Sequence, residues 1–188
     1  MGDNAATLSV SIRELPSVHV AYVSYEANIG QDDLHNQIRE CFQRVQTWVK
    51  DLGYDPFTQL TIGALEMVDG QLSSYECCVQ VPEQVQSGSG GVDIRELPGG
   101  RYAVVTIDKD PRIIGGSIGR FYQEYVPQNN IEIDGTRPTY EIYYETTMEY
   151  CVPIVARIFR GPMLKMLETA IDTGLRHLKA EVERRSAR

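Results

Sequence analysis

The stretch IRELP at residues 12–16 returns as IRELP at residues 94–98 of the 188-residue chain. The two copies are 82 residues apart, because 94 − 12 = 82, and Ala21 and Ala103 keep the same offset. Each copy is followed by the same succession of predicted elements, which a chance identity would not supply. The sequence therefore predicts two related halves, each in the order strand, helix, strand, strand.

Hydrophobic spacing defines the elements of the first half. Residues 19–25 have the composition of a strand. Apolar residues recur at helical spacing between positions 34 and 52, after an aspartate that can cap the helix and before Gly53, which ends it. Two further strands are predicted at 60–68 and 74–81, on either side of an Asp-Gly pair that favours a hairpin turn.

The second half repeats this order after a flexible Ser/Gly stretch at residues 87–91. A strand is predicted at 101–107, a helix at 112–126 that Pro127 ends, and strands at 139–145 and 150–155. The predicted fold class is α+β, with a domain over residues 8–157 and repeat halves over about 8–86 and 92–157.

A further helix is predicted over residues 161–186, where apolar residues recur at three- and four-residue steps. It either packs on its own domain or forms a short dimerising coil, and a homodimer through this helix is one possible assembly.

Composition excludes several classes of protein. The net charge of −8 argues against direct nucleic-acid binding, and it favours cationic partners. No apolar run approaches the roughly 20 residues that a membrane-spanning helix needs. The four cysteines and three histidines show no metal-ligand spacing, so we expect no metal, no cofactor and no disulfide. These features predict a reduced, cytoplasmic protein without a membrane partner.

An unusual acid lies in the stretch TYEIYYE at residues 139–145. Side chains alternate between the two faces of a strand, so Glu141, Tyr143 and Glu145 share one face, whereas Tyr140, Ile142 and Tyr144 share the other. A lone carboxylate among aromatic side chains must stay hydrated, stay protonated or await a positive partner.

Several motifs occur in an order that resembles the DNA gyrase inhibitor-like (GyrI-like) family of small-molecule-binding domains. They are ELP at 14–16 and 96–98, Trp48, CVQVP at 78–82, PTYEIY at 138–143 and CVPI at 151–154. The same domain is the effector-binding part of AraC-type and MerR-type multidrug regulators. The resemblance covers about residues 10–154.

The resemblance implies two pseudo-twofold-related units whose antiparallel sheets form a central groove, with the helices on the opposite faces. The glutamate that matches Glu141 lies in this groove and meets cationic, lipophilic compounds. Glu66 is a possible second acid, because it lies in the predicted strand of the first half that matches the strand of Glu141, at an offset of 141 − 66 = 75. The other expected ligand-binding residues are aromatic: Tyr143, Tyr22, Tyr102, Phe121, Tyr122 and Tyr125.

Three functions follow from the resemblance. The first is binding of an amphipathic, cationic or aromatic small molecule. The second is hydrolysis of cyclopropane-bearing electrophiles, with Glu141 and Tyr143 as catalytic residues. The third is a protein-interaction role on gyrase or a separate regulator.

The chain also departs from the family pattern. Residues 1–7 leave no room for a helix-turn-helix, so we expect a stand-alone member rather than a fused transcription factor. The loop at 108–111, DKDP, lacks the family's His-x-Gly-Pro-Tyr run, which changes that rim of the expected groove.

Overall fold

Eight strands pair into one antiparallel sheet in the computed structural model, which describes residues 8–26, 34–68 and 71–155. The strands are β1 Ser9–Leu15, β2 Val18–Glu26, β3 Thr61–Val68, β4 Gln71–Gln80, β5 Asp93–Leu97, β6 Gly100–Asp108, β7 Thr139–Tyr143 and β8 Thr147–Pro153. Their order across the sheet is β1-β6-β8-β7-β3-β4-β2-β5. The α+β class and the pseudo-twofold arrangement of the halves are confirmed. When each strand is replaced by its counterpart in the other half (β1 by β5, β2 by β6, β3 by β7, β4 by β8, and the reverse), the same order is obtained from the opposite edge of the sheet.

The helices connect the strands of each half. Helix α1 spans Leu34–Asp51, and helix α2 spans Pro111–Arg120. Helix α2 continues through a π-helical turn, Phe121–Tyr125, into a short last turn, α3, at Val126–Gln128. None of the described helices is long and apolar enough to cross a membrane. The predicted helix over 161–186, and with it the dimerising coil, lies outside the described residues.

The π-helical turn changes where the second helix ends. The Val126 N–H bonds to the Phe121 carbonyl, five residues back. Pro127, which has no N–H to donate, then lies inside the last turn, and the helix ends at Gln128 rather than at Pro127.

The repeated IREL segments are themselves strands, which the sequence analysis did not predict. β1 pairs with β6 of the second half, and β5 pairs with β2 of the first half. The first strand of each half therefore pairs with a strand of the other half. The halves are joined by backbone hydrogen bonds at both edges of the sheet as well as at its centre.

Two short connections force the sheet to curl. β1 and β2 are joined only by Pro16 and Ser17, although six strand spacings separate them, about 29 Å in a flat sheet. Three Cα-to-Cα steps cover at most about 11 Å. Pro98 and Gly99 impose the same constraint on β5 and β6. The edges of the sheet must therefore approach each other, and a Cβ on Gly99 would lie 2.5 Å from the Leu15 carbonyl oxygen.

The curled sheet has two different faces. The outer face carries α1, which packs on β2 and β4, and α2, which packs on β6 and β8. The inner face is filled by a core that the two Leu-Pro turns close. Its buried members are Val20, Ile62, Ala64, Cys78, Leu97, Tyr102, Val104, Tyr140, Ile142 and Cys151.

An ion pair is repeated in the two halves and fixes their correspondence. Arg95 pairs with Glu76, and Arg13 pairs with Glu149. The arginines are 95 − 13 = 82 residues apart, and the glutamates are 149 − 76 = 73 apart. The correspondence between residues of β3 and β7 follows from the strand register, since Glu76 lies opposite Ala64 and Glu149 lies opposite Ile142. Residues of β3 therefore correspond to residues of β7 at an offset of 142 − 64 = 78.

The Arg95–Glu76 pair should contribute more to stability than the Arg13–Glu149 pair. Glu76 is only 8% exposed, and burial raises its pKa while Arg95 lowers it. We expect Arg95→Met to reduce the free energy of unfolding by about 1–3 kcal/mol, because the buried carboxylate loses its charged donor. Without Arg95, the pKa of Glu76 in the folded state rises further. The loss in the free energy of unfolding should therefore grow as the pH rises from acidic to neutral. Urea denaturation at several pH values measures this.

Arg13→Met is the matched control for this prediction. In this variant Glu149 still accepts a hydrogen bond from the Tyr144 hydroxyl, at 3.1 Å. Arg13→Met should therefore reduce the free energy of unfolding by less than Arg95→Met does. Equal losses for the two variants, or a loss for Arg95→Met that does not depend on pH, would contradict this account.

Candidate functional site

Glu141 lies on the outer face at the pseudo-twofold axis. Its direct neighbour on β3 is Gly63, and 141 − 63 = 78, so each residue is also the counterpart of the other in the repeat. Glu66 lies on β3, the strand that corresponds to β7, but the offset of 78 makes it the counterpart of Tyr144 rather than of Glu141. The two halves thus meet at one acid and one glycine.

Two tyrosine hydroxyls converge on one oxygen of Glu141. Tyr75 donates to Oε2 at 2.7 Å, and Tyr143 donates to the same atom at 2.6 Å. The two hydroxyl oxygens are 3.0 Å apart. β4 supplies Tyr75, β3 lies between, and β7 supplies the other two residues, so the cluster spans the junction of the halves.

Gly63 makes room for this cluster. A Cβ at position 63 would lie 2.0 Å from the Tyr75 hydroxyl oxygen and 2.5 Å from its Cζ. Tyr75 is only 3% exposed, so its ring cannot swing into solvent without unpacking. A side chain on the β3 neighbour of Glu141 would therefore displace one of the two donors.

Burial keeps both phenols protonated. It is the main cause that raises the pKa of Tyr75, and the negative charge of Glu141 raises it further. The same two causes, in the same order, raise the pKa of Tyr143. Both residues therefore remain hydrogen-bond donors to the carboxylate well beyond neutral pH.

Glu141 has no basic partner within 4.0 Å among residues 8–26, 34–68 and 71–155. Its side chain is half-buried, and within the same part of the chain only its Oε2 atom receives hydrogen bonds. The nearby cation is Lys109, whose Nζ lies 5.9 Å from the centre of the Tyr143 ring and donates to the Tyr144 carbonyl. The site is thus an acid held by neutral donors.

The two helices form the walls of a groove above this acid. Ile38 and Phe42 of α1 form one wall, and Ile118 of α2 and Tyr122 of the π-helical turn form the other. The Phe42 ring meets the rings of Tyr75 and Tyr143 edge-on, with centroids 6.3 and 5.8 Å apart. On the other wall, the Tyr122 hydroxyl lies 3.4 Å from that of Tyr150.

A cavity opens at each end of the groove. One has a volume of about 660 Å³, and its walls include Leu65, Ile118, Tyr122, Thr139 and Tyr150. The other has a volume of about 1000 Å³, and its walls include Ile38, Phe42, Thr61, Lys109 and Tyr143. On the outer face of β3, Gly63 lies between Leu65 and Thr61, so Glu141 stands between the two cavities.

The structure brings together only part of the predicted residue set. Glu141, Tyr143 and Tyr122 face the groove. Phe121 is fully buried beneath α2, and Tyr125 stacks on it with centroids 5.8 Å apart.

The remaining predicted residues lie on the inner face, away from Glu141. Tyr22 and Tyr102 belong to the inner core, and Glu66 shares the face of Ala64. The implied placement of the helices opposite the groove is also wrong, because Glu141 and both helices are on the same face. At the offset of 82, the counterpart of Tyr102 in the first half is Val20, and Tyr22 corresponds to Val104.

Sequence reasoning missed Tyr75, and the hairpin turn alone would have placed it on the wrong face. A two-residue Asp-Gly turn that pairs Val68 with Gln71 would put Ala64 opposite Tyr75, but a register shift between Glu66 and Met67 puts Leu65 there instead. Alternation along β3 then puts Tyr75 on the face of Gly63. In the described part of the chain, no group of three or more His, Cys, Asp or Glu side chains is placed to hold a metal ion.

The family model of the GyrI-like small molecule binding domain matches residues 8–155. The chain belongs to this family, and it therefore contains a small-molecule-binding domain. No curated protein matches the sequence.

Three solved structures share the fold at low sequence identity. The EcmrR C-terminal domain has a TM-score of 0.59 and 11% identity, covering 79% of this chain and 98% of that chain. SAV2435 bound to tetraphenylphosphonium has a TM-score of 0.54 and 17% identity, covering 79% and 94%. A hydrolase from Listeria innocua has a TM-score of 0.55 and 10% identity, covering 81% and 94%. At such identities the likeness shows the fold alone.

Gly63→Ala should destabilise the protein, because the new methyl group collides with the Tyr75 hydroxyl. We expect a loss of about 1–3 kcal/mol in the free energy of unfolding, typical of overpacking a buried site. Thermal and urea denaturation measure it. The control is Gly116→Ala in α2, where a Cβ meets nothing within 4 Å and the gain in helix propensity is about 0.5–1 kcal/mol. Equal effects of the two substitutions would refute a steric role for Gly63.

Proposed function

We propose that the groove between α1 and α2 binds amphipathic cationic small molecules, with Glu141 as the acidic determinant. The observation that carries this proposal is a half-buried carboxylate held by two phenols, with no basic partner among the described residues. A bound cation supplies the missing positive charge. At 4 Å and an effective dielectric constant of about 20, the Coulomb attraction of such a pair is about 4 kcal/mol, from which the desolvation cost of the two charges is subtracted.

The aromatic walls favour a lipophilic cation over a small hydrated one. Phe42, Tyr143, Tyr122 and Tyr150 line the two ends of the groove. Apolar burial contributes about 25 cal/mol per Å², and a cation over a ring face adds about 0.5–2 kcal/mol. The volume of 660 Å³ at one end is typical of a pocket for a drug-sized molecule.

The charges at the two ends differ, which sets the direction of approach. The charged residues that line the larger cavity are two cations, Arg39 and Lys109, and one acid, Glu145, and Lys109 already lies against the Tyr143 ring. In the smaller cavity the charged lining includes Glu66 and Asp134, and Arg137 there is paired with Asp134 at 2.8 Å. A cationic ligand therefore reaches Glu141 from the side of Tyr122 and Tyr150.

Two further observations support this function. The structural neighbour SAV2435 is described as bound to tetraphenylphosphonium, a lipophilic cation. The four cysteines of the chain are free, which agrees with a reduced, cytoplasmic setting for a protein that senses or sequesters such compounds.

Titration with tetraphenylphosphonium tests the role of Glu141. We expect Glu141→Gln to weaken binding at least tenfold, or about 1.4 kcal/mol, because the amide keeps the shape of the site and removes its charge. Isothermal calorimetry measures the dissociation constants. Glu83→Gln is the matched control, since it removes the same charge from an exposed position that lines neither cavity and should change affinity less than twofold. Equal affinities of the wild type and Glu141→Gln would exclude Glu141 as the determinant.

A second candidate function is hydrolysis of a strained electrophile, favoured by the short contacts between Glu141 and two phenols. In that reaction Glu141 activates a water molecule, while Tyr75 and Tyr143 orient the substrate and supply protons. General acid–base assistance of this kind is worth about 10²–10⁴-fold in rate.

Turnover distinguishes the enzyme from the binding protein. If the site is hydrolytic, mass spectrometry should show a cyclopropane-bearing compound converted in many-fold excess over wild-type protein, and Tyr143→Phe should slow this by about 10²-fold or more. A compound that binds and remains unchanged after long incubation excludes hydrolysis for this substrate class.

A further inference from the structure

A third cavity lies on the inner side of the curled sheet, beside the turn that joins β1 to β2. Its volume is about 180 Å³. The walls are mainly apolar and come from both halves, with an ion pair at one side. The lining residues are Arg13, Leu15, Pro16, Val18, Leu60, Ile62, Leu97, Tyr140, Ile142, Tyr144 and Glu149.

The other half shows what occupies the corresponding space. There the Tyr140 ring stacks on Tyr102, with centroids 5.2 Å apart. The Tyr140 hydroxyl donates to the Pro98 carbonyl at 2.8 Å, which ties β7 to the β5–β6 turn. One phenol side chain thus fills the inner core and satisfies a turn carbonyl.

The repeat correspondence explains why the first half has a cavity instead. The counterpart of Tyr140 is Ile62, since 140 − 62 = 78, and the counterpart of Tyr102 is Val20, since 102 − 20 = 82. The counterpart of Pro98 is Pro16 at the same offset of 82. Two aromatic rings in one half are therefore replaced by two aliphatic side chains in the other, while the turn above them is retained.

We propose that this inner cavity is a second binding site, for a small planar aromatic molecule that carries a hydroxyl group. The ring of a phenol-class ligand lies on Ile62 and Ile142, in the place that Tyr140 fills in the other half. Its hydroxyl group donates to the Pro16 carbonyl, as Tyr140 donates to the Pro98 carbonyl.

The polar groups at the cavity match a hydroxyl. The Nε atoms of Arg13 and of its counterpart Arg95 are buried and have no hydrogen-bond partner among the described residues. Pro16 is an exposed residue, and its carbonyl receives no hydrogen bond from the described part of the chain. A hydroxyl can donate to this carbonyl and accept from the Arg13 Nε atom, where the lack of a partner for a buried polar group costs about 1–3 kcal/mol.

The size and lining suit a single ring. Dry cavities of about 150 Å³ with aliphatic walls bind benzene-sized molecules. The inner cavity is slightly larger, and Leu60, Ile62 and Ile142 supply the aliphatic surface. The site is separate from the groove, because Ile62 and Glu141 are on opposite faces of the sheet.

Phenol itself is the probe for this site. We expect phenol to raise the melting temperature of the full chain in proportion to the logarithm of its concentration, with a dissociation constant on the order of a millimolar or below. Anisole, which cannot donate, should bind about threefold to tenfold more weakly, as expected for the loss of one hydrogen bond.

Ile62→Tyr tests the assignment, because it places a covalent phenol where the ligand is expected. The variant should lose the phenol-induced shift and keep its affinity for tetraphenylphosphonium, whereas Glu141→Gln should keep the phenol response. If Ile62→Tyr does not fold, Leu60→Phe fills the cavity from the position just before β3, with the same expected loss. A phenol response that survives in the folded filled variant, that disappears in Glu141→Gln, or that is absent from the wild type would overturn the proposal.

Discussion

Two connections of two residues each impose the shape on which the rest of this structure depends. They join strands that a flat sheet would hold about 29 Å apart, so the sheet curls until its edges meet. Curling creates an inside, which the apolar residues of alternate positions fill, and an outside, on which α1 and α2 find separate places. Proline in each turn removes a backbone donor that such a tight connection could not satisfy.

The pseudo-twofold symmetry explains both candidate sites, because it is broken at two neighbouring positions. Gly63 faces Glu141 on the outer side, and Ile62 corresponds to Tyr140 on the inner side. Successive residues of a strand point to opposite faces. Divergence at adjacent positions of one strand pair therefore produced an acid in a groove on one face and a cavity in the core on the other. The repeated ion pairs keep the symmetry, whereas the inner core also differs at Tyr102 and its counterpart Val20.

Much of the fold could be predicted from local patterns. The period of apolar residues placed α1, the second helix and six of the eight strands, because these elements depend on neighbours close in sequence. The strands formed by the two IREL segments could not be predicted from local patterns. Each is short and half exposed, and each pairs with a strand from the other half, so the hydrogen bonds that define it are far away in sequence.

Matching residues between the halves required the strand register. The offset is 82 at the first strands, 78 at the central strands and 73 at the last strands, because the connections differ in length. A single offset from the IRELP repeat cannot find the counterpart of Glu141. The same limit hid Tyr75, whose role depends on which β3 residue stands between it and the acid. The aromatic strand around Glu141 could be recognised, but its partners could not.

The geometry around Glu141 shows how a sheet can keep an acid at its centre without a built-in cation. Two donated hydrogen bonds stabilise the carboxylate, and both donors are neutral, so they do not cancel its charge. An arginine in their place would have satisfied the acid and removed its attraction for a positive ligand. Burial keeps the phenols protonated and able to donate, and among the described residues the Oε1 atom of Glu141 receives no hydrogen bond. The arrangement holds the charge in place and leaves its field available to whatever enters the groove.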